Sequence, residues 1–204
     1  MSVQTVPTGN PDAAWVTITD ICEPLNWQAL FGNDHPVEID LGAGDGGFVA
    51  NRAKQFPDVN FLAVERLLGR ARKIVKKAYR QNLPNLRVLR LETSYIMRYM
   101  IPAESLSMVH LMFPDPWPKR RHHERRIVQP EFVKSVATAL KPGGEFRFTT
   151  DHAEYFSVAV PVINAEPLLK PAELWDFSTD PQTEFQVEFL AEGRVINRAR
   201  YLKS

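Results

Sequence analysis

The sequence predicts an α/β fold: a mostly parallel, twisted sheet with helices on both faces and an antiparallel C-terminal strand. Three observations point to it. Between Val37 and His152, short apolar runs alternate with stretches of helical periodicity. That βαβα pattern forms a parallel sheet through right-handed crossovers. The run SLSMVHLMF (Ser105–Phe113) is nearly all apolar, as a strand covered on both faces must be. The last run, RVINRARYL, instead alternates in polarity and suits addition to a sheet edge.

The elements follow in order. VEIDL (Val37–Leu41) reads as a strand that ends in GAGDGG. Asp45 to Phe56 reads as a helix, with Phe48, Val49, Arg52, Ala53 and Phe56 at helical spacing. NFLAVE (Asn60–Glu65) is a second strand. Leu67, Ala71, Ile74, Val75 and Ala78 then mark one apolar helix face whose opposite face is cationic, and Asn82-Leu83-Pro84 stops it. NLRVLRL (Asn85–Leu91) is a third strand, Thr93 to Met100 a short helix and Ser105–Phe113 a fourth strand. Glu131 to Leu140 is helical and ends in KPGG. EFRFTTD (Glu145–Asp151) is a fifth strand, with a helix expected from His152. TEFQVEFLAEG reads as a helix closed by Gly193. Residues 1–34, punctuated by Pro7, Pro11 and Pro24, read as an irregular lead-in. Residues 35–204 then form one domain.

Composition bounds the function. Hydrophobic content of 44% with 24% charged residues excludes a disordered chain, and no apolar run reaches the ~18 residues needed to span a bilayer. No basic stretch followed by an apolar one opens the sequence, so no secretory signal is expected. Cys22 is the only cysteine, which leaves no internal disulfide and suits a reducing, cytoplasmic setting. The net charge of +1 conceals two cationic tracts. Arg66 to Arg80 holds seven cations and no acid, and Lys119 to Arg126 holds five cations and one acid. Together they could present a basic face to a polyanion, although each tract alone also fits a solvated surface.

In such sheets ligands bind beyond the carboxyl ends of the strands, where strand order reverses. Gly42–Gly47, Glu65, Glu92, Asp115 and Asp151 all follow apolar strands and belong to that rim. Gly42, Gly44 and Gly47 satisfy G-x-G-x-x-G, which by itself fits a dinucleotide or another nucleoside cofactor. Asp40, two residues before Gly42, would repel a pyrophosphate and attract an α-ammonium group, and S-adenosylmethionine offers the second without the first. Glu38 lies on the same strand face, one step deeper. Glu65 stands where an acid receives ribose hydroxyls. Glu92 fits either the adenine region or the start of a helix at Thr93.

Four segments, DLGAGDGG, FPDPWPKRRHHERRIVQ, TTDHAEY and TEFQ, stand in this order and spacing. They resemble the bacterial tRNA (guanine-N7)-methyltransferase family, from about Val37 onward, and the second is the most specific. The resemblance implies a Rossmann-like class I methyltransferase fold. It further implies transfer of methyl from S-adenosylmethionine to N7 of a guanine in the tRNA variable loop. Carried over by position, it makes Asp115 catalytic and places Asp40, Gly42, Gly44, Glu65, Glu92 and Asp115 at the cofactor. Lys119, Asp151, Thr183, Glu184, Phe185 and Gln186 match substrate-binding positions. Gln186 stands where the family has an acid, so a pairing that needs a carboxylate there is in doubt.

The chemistry agrees with these residue types. Guanine N7 has a lone pair and no proton, so no strong base is required. Positive charge develops on the purine, and a carboxylate fixed between Pro114 and Pro116 can stabilise it or accept from the guanine edge. Arg120, Arg121, Arg125 and Arg126 are candidates for RNA phosphates, and binding should weaken steeply with salt. Trp117 reads as a hydrophobic plug more than a stacking platform, and His110 as a core histidine. His122-His123 lacks cysteine or carboxylate company, so no metal is expected. Two other readings remain open: an NAD-dependent oxidoreductase on the same glycine loop, and a non-catalytic RNA-binding protein. Oligomeric state is open as well.

Overall fold

A computed structural model describes residues 3–4, 10–176 and 178–204; of residues 3–4 only the strand pairing is described. The expected punctuation at Pro7 lies outside the described residues. In chain order the elements are β1 (Val3–Gln4), β2 (Thr17–Ile18), α1 (Trp27–Phe31), β3 (Val37–Leu41), α2 (Gly47–Gln55), β4 (Asn60–Val64) and α3 (Leu68–Arg80). There follow β5 (Leu86–Leu89), α4 (Thr93–Tyr99), β6 (Leu106–Met112), α5 (Pro130–Ala139), β7 (Leu140–Thr150) and α6 (Ala153–Asn164). The chain ends with β8 (Leu169–Pro171), α7 (Glu184–Ala191) and β9 (Asn197–Lys203).

The main sheet has the order β5-β4-β3-β6-β7-β9-β8. The first five strands run parallel, β9 pairs antiparallel with β7, and β8 pairs antiparallel with β9. From β3 the chain moves outward to β4 and β5, then returns to β6 on the other side of β3. The β3/β6 junction is therefore the switch point that opens a crevice at the strand ends.

The strands are buried along their whole lengths in β3, β4 and β5, which is why their sequences read as apolar runs rather than alternations. Helix α3 shows the complementary case. Ala71, Ile74, Val75 and Ala78 are buried against the sheet, while Arg66, Arg72, Lys73, Lys76 and Arg80 are exposed around them. Burying a side chain such as Ile74 contributes roughly 1.5–3 kcal/mol, so the apolar stripe decides which way the cations point.

Two expectations are corrected, and β8 is an element the sequence does not signal. The lead-in is not wholly irregular, because Asn26 caps α1 through its side chain and Val16, Leu25, Leu30 and Phe31 join the core. Val16 and Val88 exchange backbone bonds through their neighbours (Val16 N to Val88 O, Val88 N to Ala14 O). This places the segment beyond β5, an edge that sequence alone does not reveal. β7 begins at Leu140 and includes the KPGG turn, with a register shift between Leu106 and Met108 on its partner β6. β8 has only three residues, too few to show a period.

A buried ionic chain crosses the sheet. Glu38 on β3 receives Arg52 Nε at 2.6 Å and His110 Nε2 at 2.8 Å. Arg52 Nη1 also reaches Asp180 at 2.9 Å. Asp180 bonds to Arg147, which pairs with Glu145, which in turn binds Arg200 at 2.8 Å. Burial works to raise the Glu38 carboxyl, but the His110 hydrogen bond and the Arg52 guanidinium outweigh it and hold it at about 2. Burial pushes His110 down, so its neutral ring donates to Glu38, and it is the core histidine expected. Glu38 is thereby committed to structure rather than to a ligand.

Breaking this chain on one side strands a buried charge. Arg52→Met should destabilise the fold by about 3–5 kcal/mol in urea unfolding at pH 7. Because the Glu38 carboxyl is held below its ordinary value of 4.5, its stabilisation is present above that value. It is lost as pH falls toward about 2. Glu38→Gln should flatten that acid limb, and an unchanged limb would show that the pair contributes nothing.

Candidate active site

The loop after β3 turns back at once onto the sheet. Gly42 and Gly44 have φ of +77° and +59°, values a side chain rarely adopts. The amides of Gly42 and Ala43 bond to Val64 O on β4, at 2.9 and 3.0 Å. Gly44 N donates to Glu65 Oε2 at 3.0 Å, and Leu67 N to Glu65 Oε1 at 2.7 Å. One carboxylate at the end of β4 thus joins the glycine loop to the entry of α3.

Two adjoining cavities open at the switch point. The larger, about 570 Å³, is lined by Gly42, Glu65, Glu92, Asp115 and Asp151 among others, so five strand ends meet there. The smaller, about 240 Å³, is lined by Asp40, Gly44, Asp45, Thr183 and Glu184. Gly42, Arg70, Met112 and Phe185 border both.

The floor of the smaller cavity is acidic. Burial, reinforced by the charges of Glu65 and Glu184, pushes the Asp40 carboxyl up to about 7. Nearby cations are already engaged: Lys73 Nζ reaches Asp45 at 2.8 Å, Lys77 Nζ reaches Glu184 at 2.9 Å, and Arg70 lies 3.8 Å from Asp45. These pairs leave Asp40 to a cation entering this space, while a pyrophosphate there would meet repulsion. The site therefore fits the ammonium end of S-adenosylmethionine and does not fit a dinucleotide. A Cβ on Gly47 would crowd the Glu184 carboxylate, the movable end of an exposed side chain, so the third glycine of the motif faces α7 here.

Asp115 is exposed to the larger cavity. The turn that carries it bends through positive φ at both ends, +53° at Phe113 and +42° at Trp117. Each such residue costs about 1–3 kcal/mol. Phe113 N bonds to Thr149 O at 2.8 Å, and Arg126 Nε holds Pro116 O at 2.8 Å. Arg126 is only 3% exposed, pairs with Glu154 and lies over the Tyr155 ring. The expectation that it meets RNA phosphate is corrected: its charge is spent in anchoring the Asp115 turn.

The remaining expected residues divide clearly. Arg120, Arg121 and Arg125 are exposed on a 3-10 turn that starts after Lys119. Lys119 is exposed and outside the lining of both cavities. Trp117 lines the larger cavity, with Arg125 over one face and His122 at its edge. Glu92 caps α4 through the amides of Ser94 and Tyr95, as its helix-start reading expects, and it also lines the larger cavity. Thr183 caps α7 by accepting from Gln186 N at 2.9 Å. Gln186 is 5% exposed and lines neither cavity, so its departure from an acid does not alter their charge.

Sequence reading missed Arg70, Phe189 and Arg194, which line the larger cavity. Phe189 follows Phe185 by one helical turn and stacks on it, with centroids 5.9 Å apart. That i, i+4 spacing was the available signal. Arg70 and Arg194 had none beyond their charge.

Residues 34–199 match the family model described as "Putative methyltransferase". The chain is 33% identical to the tRNA (guanine-N(7)-)-methyltransferase of Syntrophotalea carbinolica over 181 residues, 87% of this chain and 78% of that one. It is 32% identical to the protein of the same name from Geobacter metallireducens, over 96% and 92% of the two chains. Among solved structures, the 16S rRNA methyltransferase KamB superposes with a TM-score of 0.66 at 20% identity, over 87% of this chain and 92% of that one. At that identity the match shows the fold.

The raised Asp40 carboxyl sets a pH dependence. Its folded value, about 7, lies above the ordinary 3.8, so the ligand-free fold loses stability as pH rises between those two values, and the loss levels off above the higher one. Asp40→Asn should raise the melting temperature of the ligand-free protein at pH 8. S-adenosylmethionine binding should tighten from pH 6 to pH 8 in wild type, as pairing displaces the proton, and be weak and flat in Asp40→Asn. Calorimetry at the two pH values checks both.

Proposed function

Because the chain belongs to the tRNA (guanine-N7)-methyltransferase family, we propose that its strand-end carboxylates divide the methyl transfer between them, with Asp115 at the reacting guanine. The enzyme transfers a methyl group from S-adenosylmethionine to N7 of a guanine in tRNA. The target is the variable loop, and the setting is the cytoplasm. Residues 35–204 act as the methyltransferase domain, and the segment before them braces β5.

S-adenosylmethionine, when bound, supplies an electrophilic methyl on sulfur. Asp40 pairs with the ammonium group, the Gly42–Gly44 turn lets the backbone approach closely, and Glu65 accepts from the ribose hydroxyls. Glu92 borders the adenine. Asp115, exposed to the same cavity as Glu65 and Gly42, faces the charge that develops on the purine as N7 becomes bonded. A fixed anion there acts without reorganising at the moment of reaction. Phe185 is 40% exposed beside the cavity and offers a ring face to a base. Lys119, Arg120, Arg121 and Arg125 on one side and the exposed face of α3 on the other hold phosphates. They offset the few kcal/mol needed to draw a base out of folded RNA.

The observation that carries this reading is the meeting of Asp115, Glu65 and Gly42 around one cavity. The oxidoreductase reading fails on the acidic space beside the glycine loop. The non-catalytic reading loses its motive, because Gln186 is buried away from both cavities.

Incubation with labelled S-adenosylmethionine and unmodified tRNA should give 7-methylguanosine in the variable loop. Asp115→Ala should lower kcat by about 10²–10³-fold while tRNA still shifts on a gel. No N7 product from the wild-type enzyme, or full activity in Asp115→Ala, would overturn the assignment.

A further inference from the structure

At the rim of the larger cavity Asp151, a substrate-binding position by resemblance, is paired with Arg194, which lies outside the motifs that carry that resemblance. Arg194 follows α7, and Asp151 follows β7. Arg194 Nη1 donates to Asp151 Oδ2 at 2.8 Å. Its Nε lies 2.7 Å from Glu192 Oε2, and its guanidinium carbon sits 4.5 Å from the centre of the Phe189 ring. Two carboxylates and an aromatic face set the plane of the group. A guanidinium has five N–H donors, more than these two contacts take, and Asp151 Oδ1 is likewise left over. Both residues line the cavity that contains Asp115.

A donor beside an acceptor matches one purine edge and opposes the other. Guanine presents O6 as acceptor next to N1–H and N2–H₂ as donors. Adenine presents an amine where guanine has O6, and a bare N1 where guanine has N1–H. Placed against this pair, adenine would set donor against donor and acceptor against carboxylate. N7 is not consumed, because O6 can accept through the lone pair on its N1 side.

We propose that Arg194 is a specificity residue that donates to guanine O6, while Asp151, held beside it, accepts from N1–H and N2–H₂. This rests on the methyltransferase reading above. The pair reads the base and leaves N7 to the chemistry.

The test uses tRNA with guanosine, inosine or 2-aminopurine at the target position, assembled by ligation, with wild type, Arg194→Ala and Arg194→Lys. Inosine keeps O6, and 2-aminopurine lacks it. Arg194→Ala should lower kcat/KM on guanosine and inosine tRNA by about tenfold or more, the scale of a hydrogen bond to a charged donor. It should leave 2-aminopurine tRNA nearly unchanged, and Arg194→Lys should recover part of the loss. An equal loss on all three substrates would show that Arg194 only steadies α7, and no loss on guanosine would show no contact; either overturns the proposal. If the wild-type enzyme gives no N7 product, the proposal falls with the reading it rests on. If wild type methylates and Arg194→Ala keeps the same base preference, the proposal alone falls.

Discussion

Two buried guanidinium groups share one carboxylate, and that sharing brings the C-terminal part of the chain back over the strand ends. Arg52 comes from α2, Arg147 from β7, and Asp180 from the segment leading into α7. Without Asp180, two cations would stand near each other in a region of low dielectric, each costing several kcal/mol to desolvate. With it, the connection before α7 is pinned to the sheet, and Thr183 and Glu184 follow three and four residues later. The smaller cavity exists because of that placement. Glu38 and Glu145 complete the compensation at either end, so the charge chain also fixes β3 and β7 relative to each other.

The site itself is electrostatically divided. Its floor is acidic, with Asp40, Glu65 and Glu184 close enough to push up the Asp40 carboxyl. Its mouth is cationic, with Arg66, Arg125 and Arg194 among the lining residues. Such a division attracts a small cation to the floor and a polyanion to the mouth, as the proposed function requires. The strained turn between Phe113 and Trp117 lines the larger cavity, and the buried Arg126 holds it there.

Much of this was legible in the order of residues. The five parallel strands, the glycine turn and the acids at the strand ends follow from short-range rules. Apolar runs mark strands buried on both faces, and acids directly after them lie at the rim. Phe185 came only through the family resemblance, and Phe189 was readable from its helical spacing to Phe185. The role of Arg126 was not, because a cation within a basic block looks the same whether it faces solvent or lies under Tyr155. Nor was the bracing segment before β3, whose strand β2 has two residues and whose helix has five.

By itself the sequence determined what neighbours along the chain can decide: periodicity, caps, turns and the identity of the groups available for chemistry. These depend on contacts within one or two helical turns. The tertiary structure alone decided which charges neutralise one another and which are left for a ligand. Arg52 and Asp180 are 128 residues apart, and Asp151 and Arg194 are 43 apart. No local rule links such positions. They meet only after the sheet has formed, and the low dielectric that gives their pairing its strength is itself a product of that folding.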